Sequence, residues 1–276
     1  MSDSIGIIVP CFNEEENIEL LYNLITNTID SIYKKFSLDE NDNPWGIIFV
    51  DDGSTDATYK IVSKIHHNDK HVHLLSFTRN FGKEAAILAG LNKAHELGFD
   101  YIALMDADLQ DPPKLLLSLF ESLKQNPSYD ICCLDHKNMK GEAKFRSFFS
   151  KLFYSFYKRL AGIQLHSGTR DFRLIRRRVV RSIVELPESN RFSKGIFAWT
   201  GYKTLWVESE NFNRGKGKTK WKFTQLFSYA LDGVISFSNK PLIYIAILGL
   251  LVFIVSLILL IYIVIRALTV GDPVAG

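Results

Sequence analysis

The sequence predicts an α/β fold, a mostly parallel sheet flanked by helices, with a helix spanning a membrane near its C-terminus. Three observations carry this reading. Short apolar, β-rich runs alternate with stretches of helical spacing through the first half, as in successive βαβ units. Polar clusters follow the runs, and in parallel sheets ligands bind beyond the carboxyl ends of the strands. The stretch Pro241 to Ala267 carries one charge, Arg266, and exceeds the roughly 20 residues that cross a bilayer.

Taken in order, the first strand is expected at 5–9 (IGIIV), closed by Pro10, Cys11, Phe12, Asn13 and Glu14. A helix over 15–36 and a loop over 37–45 lead to a second strand at 47–50 (IIFV). Asp51, Asp52 and Gly53 end it, and Ser54, Thr55 or Asp56 can cap the helix at 56–67. A strand at 72–77 runs into Arg79, Asn80, Phe81, Gly82 and Lys83, and a helix follows over 83–97. The strand at 101–105 ends in Asp106, Ala107, Asp108, Leu109 and Gln110 before a helix over 113–125.

Beyond this core the pattern changes. Phe145, Phe148, Phe149, Leu152, Phe153, Phe156, Tyr157 and Leu160 share one helical face, with Lys144, Arg146, Lys151, Lys158 and Arg159 around it. That is the pattern of an amphipathic helix in a membrane interface; a helix packed on the sheet with solvated cations is the plainer reading. A similar face at 223–235 is read as an interfacial helix delivering the chain to the span. The expected organisation is an α/β core over 1–136, a membrane-facing half over 137–222, an interfacial helix over 223–238, a transmembrane helix over 239–268 and a tail over 269–276.

Composition narrows the function. With 47% hydrophobic and 23% charged residues in 276, the chain can bury a core and is not disordered. Three cysteines are too few for a disulfide framework, and none forms a CxxC pair. Residues 1–136 hold 10 Lys/Arg and 22 Asp/Glu, a balance of −12, whereas residues 137–222 hold 21 and 6, a balance of +15. An acidic half suits a metal; a basic half suits phosphates, nucleic acid or an anionic membrane, and the span favours the membrane. No basic stretch followed by an apolar one opens the chain, so its start is expected in the cytosol without a cleaved leader. Lys240 at the edge of the span, near the basic segment, agrees with the positive-inside rule and a cytoplasmic body.

The polar clusters suggest chemistry. Asp106 and Asp108, two apart at a strand end, are expected to point the same way and share a divalent cation, with Gln110 adding an oxygen. Asp111 is read as the cap of the following helix. Asp51 and Asp52 can accept hydrogen bonds from a ribose or a base, and Pro10 and Glu14 lie where a base can be held. There is no GxGxxG and no GxxxxGK[ST], which argues against a nicotinamide dehydrogenase and a P-loop ATPase. Arg79 and Lys83 are the nearer candidates for a diphosphate. Arg176, Arg177, Arg178 and Arg181 form either a headgroup patch or a solvated helix face.

Together, in this order, VPCFNEEENI (9–18), VDDGSTDAT (50–58), RNFGKEAAILAGL (79–91), DADLQDPP (106–113), GTRDFRLI (168–175), RFSKG (191–195), GKTKW (217–221) and ALDGVISFSNKPL (230–242) resemble the family-two glycosyltransferases of GT-A fold. The resemblance is closest to the polyprenyl-phosphate branch, relatives of dolichyl-phosphate mannose synthase and bactoprenol glucosyltransferases. It implies that Pro10, Asn13, Glu14, Asp51 and Asp52 hold the nucleoside and that Lys83 lies near the donor. Asp106, Asp108 and Gln110 are implied to hold Mg²⁺ or Mn²⁺. Asp171, Arg173, Arg191 and Lys220 are implied around the reacting sugar and the acceptor phosphate, with Asp108, Asp171 and Arg191 catalytic in a wide sense.

The expected reaction is inverting transfer of a hexose or N-acetylhexosamine from a UDP-sugar donor to undecaprenyl phosphate at the cytoplasmic face of the cell membrane. Membrane lipids are expected partners and nucleic acid is not. The resemblance also implies a homo-oligomer, with tetramers among close relatives. Two departures stand out: Cys132, Cys133, Leu134, Asp135, His136 and Lys137 replace a Gly-Arg-Arg-type run, and one span precedes Gly276 where relatives usually carry two. The chain is therefore expected either to end natively after one span or to lack a second. Competing readings are an inactive membrane-bound nucleotide-sugar sensor and a processive polysaccharide synthase. The synthase motif Gln-x-x-Arg-Trp is absent.

Overall fold

The computed structural model describes residues 3–42, 44–135, 171–186, 191–208 and 240–270. Among them, β1 (Ile5–Cys11), β2 (Trp45–Asp51), β3 (Val72–Ser76), β4 (Tyr101–Leu104), β5 (Ile131–Asp135), β6 (Arg173–Arg176) and β7 (Thr204–Glu208) form one sheet. Its order is β3-β2-β1-β4-β6-β5-β7. The pairs β1–β2, β1–β4, β2–β3 and β5–β7 are parallel, and β6 runs antiparallel to both β4 and β5. The sheet is therefore mostly parallel, as expected. The four first-half strands lie close to their predicted positions.

The helices are α1 (Ile18–Phe36), α2 (Thr58–Asn68), α3 (Lys83–Leu97), α4 (Leu115–Gln125), α5 (Arg177–Val184), α6 (Ser193–Trp199) and α7 (Lys240–Val270). Strand alternation sorts the first six onto two faces. Ile5, Ile7 and Val9 of β1 pack in one core with Leu21, Ile25 and Ile29 of α1, Val62 of α2, and Leu119 and Phe120 of α4. Ile8 and its neighbours Ile48 and Val50 face the other way, toward Ile87 and Leu91 of α3, Val180 of α5 and Ile196 of α6. Strands covered on both faces read as unbroken apolar runs, as in IIFV. On the second face Gly90 of α3 leaves the space that the Ile8 side chain fills, so α3 sits close on β1.

Pro10 is tolerated inside β1 for a topological reason. The Ile8 carbonyl accepts the Met105 N–H, 3.1 Å, and Pro10, two residues on, faces the same side. The last β1–β4 pair is Ile8 with Leu104, so the missing N–H falls where no ladder bond is required.

Much of the arginine run is structural. Arg176 donates to the carbonyls of Tyr129 (3.0 Å) and Leu123 (2.9 Å) and to the Tyr101 hydroxyl (3.1 Å). Arg178 pairs with buried Asp130, and Arg181 with Glu185. Asp111 is not at the N-cap of α4: that position is Lys114, because the helix begins only at Leu115.

α7 contains 28 residues, Leu242–Thr269, of mean hydropathy 3.2, none of them buried. At 1.5 Å per residue this is about 42 Å of helix, more than the roughly 30 Å of a bilayer's hydrocarbon core. The amphipathic segment at 145–160, the segment at 223–235 and Lys220 lie outside the described residues.

Candidate active site

The carboxyl ends of β1, β2, β3 and β4 gather most of the predicted residues, and hydrogen bonds between neighbouring loops hold them there. Asn13, at φ 54°, accepts the Thr55 N–H on its side-chain oxygen (2.8 Å) and donates its own N–H to the Ser54 hydroxyl (3.0 Å). The Glu14 N–H reaches the Thr58 hydroxyl (2.8 Å), and the Ala57 N–H reaches Glu15 (2.8 Å). Asp56 accepts the Thr58 N–H at 2.9 Å, but it stands one residue before the N-cap of α2, which is Ala57. The loops after β1 and β2 are thereby laced into one unit.

Asp51 and Asp52 are both buried. Asp51 accepts the Ser54 N–H (3.1 Å) and the Ser76 hydroxyl (3.0 Å). Asp52 accepts the N–H groups of Phe81 (2.7 Å) and Gly82 (2.9 Å) on its two oxygens. Gly53, at φ +68°, lies against the Arg79 and Asn80 backbone, where a Cβ would collide. This pair of carboxylates thus fixes the segment from β3 to the start of α3, and so the base of Lys83.

Beside Asp51 opens a cleft of about 590 Å³, lined among others by Phe12, Thr55, Tyr59, Ser76 and Arg79. Arg79 stacks its guanidinium on the exposed Phe81 ring, 4.1 Å from its centroid. Cys11, beneath, is buried; burial and then the surrounding carboxylates push its thiol far above the usual range, so it is inert.

A charged centre is built around Lys83. Lys83 Nζ is 2.6 Å from Asp106 Oδ1 and 2.5 Å from Asp171 Oδ2. Asp171 immediately precedes Phe172 and β6, whose first residue Arg173 pairs with Leu104 at the end of β4. Arg173 Nη2 is 3.7 Å and Lys194 Nζ 3.9 Å from Asp171 Oδ1. The Arg173 guanidinium also lies 4.3 Å from the centroid of Phe197.

These contacts set the ionisation. Burial works to raise the Asp171 carboxyl, but Lys83, Lys194 and Arg173 outweigh it and hold it well below the usual range. Burial would lower Lys83, and Asp171 and Asp106 override it upward. Asp106 goes the other way: burial raises it, helped by Asp171 and Asp108, and Lys83 offsets only part.

Asp106 and Asp108 are not consecutive same-face positions of a strand, because β4 ends at Leu104 and Leu109 turns the backbone at φ 56°. Asp108 is exposed and accepts the Gln110 N–H at 3.1 Å. No group of three or more His, Cys, Asp or Glu that could hold a metal occurs among the described residues. The oxygen donors still fit Mg²⁺ or Mn²⁺, since such ions need only one or two carboxylates and leave other positions to water and phosphate.

Arg191 is placed differently from expectation. Its guanidinium donates to the carbonyls of Ile183 (3.0 Å) and Leu186 (3.2 Å), closing the C-terminal end of α5 in the manner of a cationic C-cap. The residues that reach the carboxylates from this segment are instead its neighbours. Ser193 donates its N–H (2.8 Å) and its hydroxyl to Glu84 Oε2, and Lys194 faces Asp171. Burial pushes Glu84 upward against those two bonds. Neither Lys194 nor Glu84 receives a role from the sequence, although each stands inside a quoted motif, RFSKG and RNFGKEAAILAGL.

The chain belongs to the family described as Glycosyl transferase family 2, whose model matches residues 6–184, and it is a glycosyltransferase. Among curated relatives, the putative glycosyltransferase CsbB of Bacillus subtilis (strain 168) is 38% identical over 272 residues, 99% of this chain and 78% of that protein. The bactoprenol glucosyl transferase of Shigella phage SfX is 34% identical over 272 residues, 99% of this chain and 85% of that protein. Among solved structures, Staphylococcus aureus TarS 1–349 aligns with a TM-score of 0.49 at 18% identity, covering 75% of this chain and 58% of that one.

Proposed function

We propose that this glycosyltransferase moves a hexosyl or N-acetylhexosaminyl group from a UDP-sugar to undecaprenyl phosphate, at the cytoplasmic face of a membrane that α7 spans. The observation that carries the reading is the Lys83–Asp106–Asp171 cluster, with Lys83 three residues along the chain from Asn80 of an open cleft, in a chain that also bears a membrane-length apolar helix. Similarity to a bactoprenol glucosyl transferase along nearly the whole chain supports a polyprenyl phosphate as acceptor.

In this mechanism the nucleoside lies in the cleft against Asp51, Phe12 and Tyr59. The diphosphate extends toward Lys83. Asp106, Asp108 and Gln110 would hold Mg²⁺ or Mn²⁺, which when bound neutralises charge on the leaving diphosphate. An acceptor phosphate oxygen attacks the anomeric carbon from the face opposite UDP. One C–O bond forms as the other breaks, and the anomeric centre inverts.

The state of Asp171 agrees with this nucleophile. A carboxyl held well below the usual range is a poor proton acceptor near neutral pH. A phosphate oxygen, already ionised, needs none. Asp171 instead gathers Lys83, Arg173 and Lys194, and cations so gathered suit a phosphate. Purified protein with Mn²⁺, undecaprenyl phosphate and a panel of radiolabelled nucleotide sugars tests the reading. Label entering the organic phase from a UDP-sugar is expected; transfer from no donor would overturn it.

A further inference from the structure

We propose that Glu84 is a positioning residue, a latch that holds α6 against the start of α3 and thereby sets Lys194 on Asp171. The proposal rests on the glycosyltransferase reading for its kinetic consequence but not for its structural one.

The geometry is specific. Glu84 follows Lys83 in the first turn of α3, so the two side chains leave the same helix end. Lys83 reaches forward to Asp106 and Asp171. One Glu84 oxygen, Oε2, takes both the N–H and the hydroxyl of Ser193, the first residue of α6. Ser193 is buried, at 7% exposure, so these are not bonds that water readily replaces. The next residue is Lys194, whose ammonium lies 3.9 Å from Asp171 Oδ1, the oxygen that Lys83 does not take. One turn further, Phe197 is buried under the Arg173 guanidinium.

Three cations from three elements thus meet at one carboxylate: Lys83 from α3, Arg173 from β6 and Lys194 from α6. Two of those elements are fixed by the sheet or packed closely on it. α6 is only seven residues long, and too short to hold its own orientation. Ile196 and Phe197 anchor its far end in the core, and the Glu84–Ser193 contact holds the end that carries Lys194. Loss of that contact frees the Lys194 end to shift, and displacements of about 1 Å at a reacting centre cost on the order of a hundredfold in rate.

The test uses the full-length protein in detergent or liposomes, with Glu84→Ala, Glu84→Gln, Lys194→Ala and the Glu84→Ala/Lys194→Ala pair. Gln keeps a carbonyl oxygen able to accept both Ser193 bonds; Ala does not. Pulse labelling of lysines with acetic anhydride, read residue by residue by mass spectrometry, reports where Lys194 is held. Several-fold faster labelling of Lys194 in Glu84→Ala is expected, with Glu84→Gln like the parent and Lys35 and Lys93 unchanged as internal references. Unchanged Lys194 labelling in Glu84→Ala would overturn the latch.

Transfer to polyprenyl phosphate gives the second readout. Glu84→Ala is expected to lose roughly tenfold or more, Glu84→Gln to recover most of it, and the pair to be little worse than Lys194→Ala alone. Additive losses in the pair would overturn action through Lys194. A parent enzyme that labels as expected but transfers nothing would count against the acceptor reading and leave the labelling result standing for the latch.

Discussion

Asp52 and Asp108 show how differently two carboxylates of the same region are used. Asp52 is buried and spends both oxygens on backbone N–H groups. Asp52→Asn would set an amide N–H₂ against one of those donors, at a cost of about 1–3 kcal/mol; urea unfolding should show the lowered midpoint. Asp108 is exposed, and the N–H it accepts, from Gln110, belongs to its own turn. Asp108→Ala is therefore expected to leave the unfolding midpoint in place while lowering transfer by at least about a hundredfold. Full activity of that variant would remove Asp108 from the reaction. Chelation with EDTA should stop transfer, and added Mn²⁺ or Mg²⁺ should restore it; transfer that continues in excess EDTA would rule the cation out. At this scale the sequence marks residue types well and partners poorly. The carboxylates at the strand ends stand out because acids following apolar runs are conspicuous. That Arg191 would close α5, a contact within eight residues, and that Lys194 would meet Asp171, both depend on the folded path of the chain, which residue spacing does not encode.

The elements were legible where one strand's burial on both faces, or one helix's apolar stripe, left a local pattern. α1 is such a case, with Leu21, Ile25, Ile29 and Ile32 buried at helical spacing. β6 is the opposite case: four residues, Arg-Leu-Ile-Arg, whose pairing with both β4 and β5 is wholly tertiary. The close seat of α3 on β1 yields a stability prediction. Gly90→Ala puts a methyl into the Ile8 side chain and should cost about 1–3 kcal/mol by overpacking, seen as a lowered melting temperature. A pH prediction comes from the end of α2. Asp69 accepts the His71 N–H (2.9 Å) and the Tyr22 hydroxyl (2.8 Å). Burial opposes its ionisation, but those bonds and His71 win and hold its carboxyl below the usual range. A carboxyl lowered in the folded state stabilises above its unfolded pKa of about 3.9 and loses that contribution as pH falls through the folded value. The stability gap between the parent and Asp69→Asn should accordingly be full at pH 7 and close below about pH 4. A gap independent of pH would contradict the assignment.

At the scale of the molecule, a sheet covered by helices on both faces and a membrane-length helix share one chain. α7 exposes its apolar side chains along its length, so the protein should stay with the membrane pellet through high salt and alkaline carbonate and leave it only in detergent. Release by carbonate would mean that α7 does not span. The division of the sequence by charge at residue 136 is not a division of the sheet, since β6 and β7 come from the basic half and take places beside β4 and β5. The position of β6 has a further consequence, in the order of synthesis. When a ribosome has delivered everything up to β5, the parallel block β3-β2-β1-β4 and the strand β5 face each other across a gap, each with an open hydrogen-bonding edge. Open edges are templates for wrong pairing. The strand that fills the gap arrives only with residues 173–176, so the nascent chain must keep those edges apart, or guarded by a chaperone, until the basic half has been made.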